Sequence, residues 1–349
     1  LIPVFGLMMI GDGSLLDGLS ILTTENPEKF KSMGGPTDPV PFYTIFTGMM
    51  LVQLFYWGTN QQIIQRALGA KDLKEGQKGL LLASFIKILG PIIVVLPGII
   101  AFHLFQGNLE SADSAYPMLV RKVLPTAWVG FFAAVLFGAI LSSFNSVLNS
   151  SVTLFGIDVY KQHINKEADE KTIVKYGKIF GVVLAIASMF IAPLIANAGS
   201  LFDYLQEING IYSIPILTII VVGYLTKRVP AIAAKIGLAS GCLLYITSQF
   251  FMQPYFVSKA LELAKDAGIT DEAALALIEA QAYPHFLDVM AILFIMNVVI
   301  MLIIGKLYPR KEPFVQEHTK QVDITPWKYT TQVGMTICVI VIAIYIYFA

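Results

Sequence analysis

The sequence predicts an all-α integral membrane protein with about eight full spans, and three observations predict it. Of 349 residues, 56% are hydrophobic and only 14% charged, with a mean hydropathy of +0.70, whereas a soluble domain carries roughly 25% charged residues. The apolar residues fall in long blocks of the length that a hydrocarbon core of ~30 Å demands, about 20 residues at ~1.5 Å rise each. The blocks are continuous and lack the dyad alternation of barrel strands. Since only helices and closed barrels satisfy the backbone in lipid, the spans are helical.

The elements follow in order. The chain begins inside an apolar stretch, residues 1–10, with no initiator Met and no basic n-region. This reads as the tail of an earlier span in a truncated chain. Residues 11–41 are rich in Gly, Pro, Asp and Thr and read as an external loop with a short surface helix. The full spans are 42–64, 79–105, 128–158, 179–196, 201–225, 232–256, 286–307 and 330–349. Residues 257–284, rich in Ala, Glu and Lys with helical spacing, form a connection outside the membrane.

Orientation follows from the Lys/Arg asymmetry of the connections. Alternate connections hold Arg66, Lys71, Lys74 and Lys78; then Lys161, Lys166, Lys171, Lys175 and Lys178; then Lys227, Arg228 and Lys235; then Lys306, Arg310, Lys311, Lys320 and Lys328. The opposite side holds Lys29, Lys31, Lys259 and Lys265, with Arg121 and Lys122 nearby. The richer side is cytoplasmic, and the C-terminus faces out.

The net charge of zero suggests neither nucleic acid nor an acidic partner. Cys242 and Cys338 lie in apolar blocks at no metal or disulfide spacing and read as packing residues. His103, His163, His285 and His318 are scattered, mostly at span ends. No catalytic set is visible, so the chain is not read as an enzyme.

Polar groups inside spans are costly and mark cavities or pathways, and four clusters qualify. Gln53 and the run Phe55-Tyr56-Trp57-Gly58-Thr59-Asn60-Gln61-Gln62 mix aromatics, a glycine and amides within one span. Either the helix breaks there, as transporter helices do near their sites, or this is an interfacial aromatic belt. Lys87 sits eight residues into its span, ~12 Å deep at helical rise. It is a buried donor or a snorkelling cation. Ser142, Ser146 and Asn149 recur at i, i+4 and i+7 with Ala139, Ser143 and Ser150 beside them. Hydroxyls and carbonyls are the hard oxygens an alkali cation needs, and small residues equally serve close helix packing. Finally, Gln206, Glu207 and Asn209 crowd the start of the fifth span with Phe202, Asp203, Tyr204 and Tyr212; a helix end at the interface explains only part of this.

At these residues the chain resembles the solute:sodium symporter family, and within it the sodium/sugar (sodium/galactose-type) cotransporters. The resemblance is carried by Tyr56-Trp57-Gly58-Thr59-Asn60-Gln61, Ile64-Gln65-Arg66, Lys87, Ala139-Ile140-Leu141-Ser142-Ser143, Leu148-Asn149-Ser150, Asp158-Val159-Tyr160-Lys161 and Tyr204-Leu205-Gln206-Glu207-Ile208. It covers residues 42–212; beyond 230 only hydropathy supports it.

The resemblance implies a LeuT-like fold of two inverted five-helix repeats. Residues 1–10 would be the tail of a first-repeat helix, 11–41 an external loop, 42–225 the second repeat, and 226–349 three peripheral spans with an external loop at 257–284. It further implies that Lys87 and Gln206 hydrogen-bond sugar hydroxyls. Gln53 stands where the galactose-type transporters carry an asparagine, one methylene shorter, which bears on the sugar's identity. Tyr56, with Trp57 beside it, would close the substrate from the cytoplasm, and Phe202 would be an outer hydrophobic gate. The Ala139 carbonyl and the Ser142 and Ser143 hydroxyls would bind sodium. The implied function is sodium-coupled import of a galactose- or glucose-like sugar across the plasma (inner) membrane, with Na+, the sugar and the bilayer as partners. A symporter of another solute, such as an amino acid, carboxylate or sialic acid, and a non-transporting sensor are the competing expectations.

Overall fold

The computed structural model describes the chain except residues 36, 37, 39, 107, 110, 111, 196–200 and 316–321, together with the side chains of 112, 202 and 203. Every α-, 3-10 or π-element among the described residues is helical, with no strand. In order they are α1 (Ile2–Ile10), α2 (Leu15–Glu25), α3 (Gly48–Gly58), α4 (Gln61–Leu68), α5 (Leu73–Lys87), α6 (Leu96–Phe105), α7 (Ala115–Val123), α8 (Thr126–Leu154), α9 (Glu170–Ile195), α10 (Leu201–Leu225), α11 (Ala231–Ile246), α12 (Gln253–Asp266), α13 (Glu272–Ala282), α14 (Phe286–Leu307) and α15 (Thr330–Tyr347). Six helical stretches are long and apolar enough to cross a membrane: Thr126–Ile164, Glu170–Ile195, Tyr204–Leu225, Ala231–Asp266, Glu272–Leu307 and Thr330–Tyr347. They coincide with the third to eighth expected spans. Counting two bent pairs as single spans raises the number to eight.

The structure departs from the expected elements where local chemistry interrupts a helix. The second expected span, 79–105, is a bent pair with a 42° bend between Leu73–Lys87 and Pro91–Phe105. Pro91 has no N–H to offer the carbonyl four residues back, which is that of Lys87. A π-turn at Pro91–Val95 then carries the chain into α6. Lys87 is therefore the last residue of α5 at a bend, not a mid-helix residue as its depth suggested. The first expected span, 42–64, is not one continuous helix: a 3-10 turn at Phe42–Phe46 precedes the short α3, and α4 starts after a break. In the 11–41 connection the helix α2 folds back from α1 with a 78° bend. The 257–284 connection is the end of α12 and all of α13.

The chain forms two compact units that interleave in sequence. One comprises Leu1–Lys31, Gln65–Leu201 and Ile324–Tyr347. Its core joins α1, α2, α6 and α7 through Leu7, Leu22, Ile100 and Leu119. Gly11 and Gly18 let α1 and α2 approach: a Cβ on Gly18 would strike the Leu7 carbonyl. Helices α8 and α9 pack through Gly177 and Gly181 against Val152, with Phe155 stacked on Phe180 at 4.1 Å and Tyr160 on Tyr176 at 4.5 Å. Asp169 accepts a hydrogen bond from the Thr172 amide at 3.0 Å, capping α9. Hydrogen bonding from the Thr172 side chain first, and from its amide second, holds the Asp169 carboxyl below the usual range.

The other unit comprises Ser32–Ile64, Phe202–Asp323 and Phe348–Ala349. Val52, Ile214, Tyr245, Leu287 and Met290 form its core. A Cβ on Gly48 would run into the Leu287 carbonyl, so the start of α3 lies directly on α14. Gly48→Ala is accordingly expected to destabilise the protein by about 1–3 kcal/mol, read as a lowered melting temperature in detergent. At Gly58 a Cβ meets nothing within 4 Å. Gly58→Ala is expected to leave the melting temperature unchanged or raise it, since Gly within a helix costs about 0.5–1 kcal/mol relative to Ala.

Candidate substrate and ion site

The motif around Trp57 folds as a capped break. At the end of α3, the Phe55 carbonyl accepts from the Thr59 and Asn60 amides at 2.9 and 3.0 Å and from the Thr59 hydroxyl at 2.8 Å. Asn60 opens α4: its Oδ1 accepts from the Gln62 amide at 3.0 Å, and its carbonyl accepts from the Ile63 and Ile64 amides at 3.0 Å each. A polar side chain in this position satisfies amides that a new helix leaves orphaned. Asn60→Ala is expected to lower stability by about 1 kcal/mol, with Asn60→Asp restoring it, both read by thermal melts. Of the two sequence readings, the broken helix describes this segment.

The faces of α3 divide sharply. Val52 and Phe55 are buried, and Phe55 meets Tyr212 of α10 edge-on at 5.8 Å between ring centroids. Gln53 and Trp57, one turn apart, are exposed together. The Trp57 indole N–H donates to Gln53 Oε1 at 3.0 Å, and the Tyr56 ring stands edge-on to Trp57 at 5.2 Å. The Gln53 amide nitrogen reaches the Met49 sulfur at 3.6 Å. Its carbonyl is thus occupied while its NH2 has only a weak acceptor, so Gln53 presents itself as a donor. On α10, Gln206 is half-buried. The next residue is anchored, because the Tyr245 hydroxyl donates to the Glu207 carbonyl at 2.9 Å. The side chain of Phe202 lies outside the described residues, as does His318.

The other predicted residues belong to the first unit. Lys87 is exposed at the bend that ends α5. Ala139, Ser142 and Ser143 are exposed midway along α8. The serine stripe splits into two roles that spacing alone did not separate. Ser146 and Ser150 are buried. The Ser146 hydroxyl accepts from the Arg66 guanidinium at 3.0 Å, and its carbonyl accepts from the Ser150 hydroxyl at 2.9 Å. These two are packing residues. Ser150, Ser151 and Thr153 all return their hydroxyl hydrogens to carbonyls four residues back. Among the described residues the Ser142 and Ser143 side chains make no such bond, which leaves both hydroxyl oxygens open as ligands. The Arg66–Ser146 contact was not anticipated; a basic residue just past the helix break was its only trace in the sequence.

Among the described residues no group of three His, Cys, Asp or Glu side chains could hold a metal ion. The donors on offer on α8 are hydroxyls and carbonyls, a set that fits a hard monovalent cation rather than zinc or copper. In the first unit the predicted residues offer an ammonium and hydroxyls, and in the second they offer the amides of Gln53 and Gln206, with aromatic rings beside Gln53.

The sequence model of the Sodium:solute symporter family matches residues 6–241, a stretch containing every residue named above as a candidate ligand or gate. The chain is 44% identical over 346 residues to a protein described as an uncharacterized symporter, YidK, of Escherichia coli (strain K12), covering 99% of this chain and 56% of that protein. It is 36% identical over 236 residues to a sodium/glucose cotransporter of Vibrio parahaemolyticus, covering 63% of this chain and 42% of that protein. It is 33% identical over 226 residues to the human sodium/myo-inositol cotransporter 2, covering 60% of this chain and 33% of that protein. The chain thus spans about half the length, or less, of the curated relatives it matches. A family match over two-thirds of the chain, together with several helices of membrane-crossing length, leads to one assignment: the chain belongs to the sodium:solute symporter family.

Proposed function

We propose that this chain carries the second repeat and peripheral helices of a sodium-coupled symporter that imports a sugar or similar polyhydroxylated solute across the inner membrane. Residues 42–225 are the repeat, 226–349 the peripheral part, and the C-terminus faces outside. The family match over residues 6–241 carries this reading. It is supported by the names of two relatives, a sodium/glucose and a sodium/myo-inositol cotransporter, both for solutes dense in hydroxyls.

In this mechanism Gln53, Lys87 and Gln206 hydrogen-bond the solute. A neutral polyol suits them, since amides and an ammonium offer many donors. Tyr56 and Trp57 close over the solute from the cytoplasmic side and Phe202 from the outer side. Ala139, Ser142 and Ser143 hold sodium as a co-transported ion. Both ligands favour the same outward-open arrangement, so each raises the other's affinity, a coupling typically worth about 1–3 kcal/mol. Downhill sodium entry then drives solute inward as the helices rock between two states.

Uptake of labelled galactose, glucose, myo-inositol and charged solutes into proteoliposomes tests this. Accumulation of a polyol that requires an inward sodium gradient is expected. Sodium-driven uptake of a carboxylate or amino acid in place of polyols would assign Lys87 to a carboxylate partner. Solute binding indifferent to sodium, with no uptake, would make the protein a sensor.

A further inference from the structure

A cavity of about 360 Å³ opens at the ends of α10, α11 and α14, and its lining includes none of the residues assigned above. Ile219, Gly223, Ala234, Met301 and Phe314 line its apolar part, and Arg310 brings a positive charge to it. The apolar wall, Phe314 apart, belongs to membrane-length helices, and Arg310 to one of the connections where those helices stop, at Leu225, Ala231 and Leu307. The segment bearing Arg310 is strapped in place. The Arg310 amide donates to the Arg228 carbonyl at 2.9 Å, and the Phe314 amide donates to the Lys227 carbonyl at 2.8 Å. The Arg310 guanidinium lies 5.4 Å from the Phe314 ring centroid.

The charge here is one-sided. Residues 226–235 and 306–314 contain Lys227, Arg228, Lys235, Lys306, Arg310 and Lys311 against one acid, Glu312. The ion pairs found among the described residues, Lys78–Glu75 and His103–Glu25, engage none of these cations. An apolar recess with a guanidinium beside it, on a segment whose backbone is held in place, matches one kind of molecule at the level where spans end: an acyl chain joined to a negatively charged headgroup. A soluble anion would leave the apolar wall unused, and a zwitterionic lipid would leave the charge uncompensated. Guanidinium groups bind phosphate through paired hydrogen bonds, and basic juxtamembrane pockets between helices favour anionic lipids.

We propose that this cavity is a binding site for an anionic phospholipid, with the headgroup phosphate on Arg310 and an acyl segment along Ile219, Ala234 and Met301.

The test is native mass spectrometry of the purified protein in detergent, with phosphatidylglycerol and phosphatidylcholine at equal mole fraction. The wild-type protein is expected to retain phosphatidylglycerol at least about fivefold better, the preference that one juxtamembrane cation confers. Arg310→Gln should abolish that preference, and Arg310→Lys should keep most of it. Gly223→Leu should lower retention of both lipids, because a Cβ at Gly223 meets nothing within 4 Å and the longer side chain grows into the cavity. Lys175→Gln, in another basic connection, should change nothing. Helical circular dichroism confirms that each variant is folded. Equal retention of the two lipids by the wild type, an unchanged preference in Arg310→Gln, or displacement of the lipid by inorganic phosphate would each overturn the assignment.

Discussion

Replacing Lys87 with alanine is expected to raise the half-saturating solute concentration for sodium-driven uptake by about 10- to 100-fold. A hydrogen bond to a charged group contributes about 1.5–3 kcal/mol, and each 1.4 kcal/mol is about tenfold in affinity. The position makes the effect specific. Lys87 ends α5 at the bend enforced by Pro91, so its removal takes away a side chain without shortening a continuous span. Sodium stimulation of the residual uptake should persist, because the proposed ion ligands sit on a different helix, α8. Uptake kinetics identical to the wild type would take Lys87 out of the site. A collapse in the amount of folded transporter, seen by size-exclusion chromatography, would instead reveal a structural role at the bend.

Removing both hydroxyls in Ser142→Ala/Ser143→Ala should raise the sodium concentration for half-maximal uptake by about 100-fold. The solute affinity measured at saturating sodium should change little. Two neutral ligands at about 1–1.5 kcal/mol each account for that size, and the separation of the two effects is what distinguishes an ion ligand from a solute ligand. The buried neighbour provides the contrast. Ser146→Ala removes the acceptor of the Arg66 bond, so it should lower thermal stability while leaving the sodium titration near its wild-type midpoint. If instead the double variant titrates normally with sodium and Ser146→Ala does not, the ion ligands lie one turn further along α8.

Much of the fold was legible because membrane spans are encoded by length and apolarity, both local properties. The third to eighth expected spans appear as the six long helical stretches, even though α8 continues through a π-helical turn to Ile164 and α11 runs on into α12. The interruptions were less legible. Gly58 and the amides beside it drew attention to 42–64, yet hydropathy still described it as one span. The helix ends because the Phe55 carbonyl collects three donors and Asn60 starts a new helix. Pro91 lies four residues after Lys87, and that spacing carries the bend; depth alone misplaced Lys87 in the middle of a helix.

The sequence by itself determined that the chain is a helical membrane protein of the sodium:solute symporter family, since span length and a contiguous motif need no knowledge of neighbours. Only the tertiary structure decided which serines of α8 are packing and which remain open. Ser142 and Ser146 are one turn apart on the same face, and what separates them is Arg66, eighty residues away in sequence. It likewise decided that Arg310, eighty residues or more along the chain from α10, stands beside an apolar recess lined by Ile219, Ala234 and Met301. Periodicity fixes the direction a side chain leaves its helix, but the partner it meets there comes from distant parts of the chain.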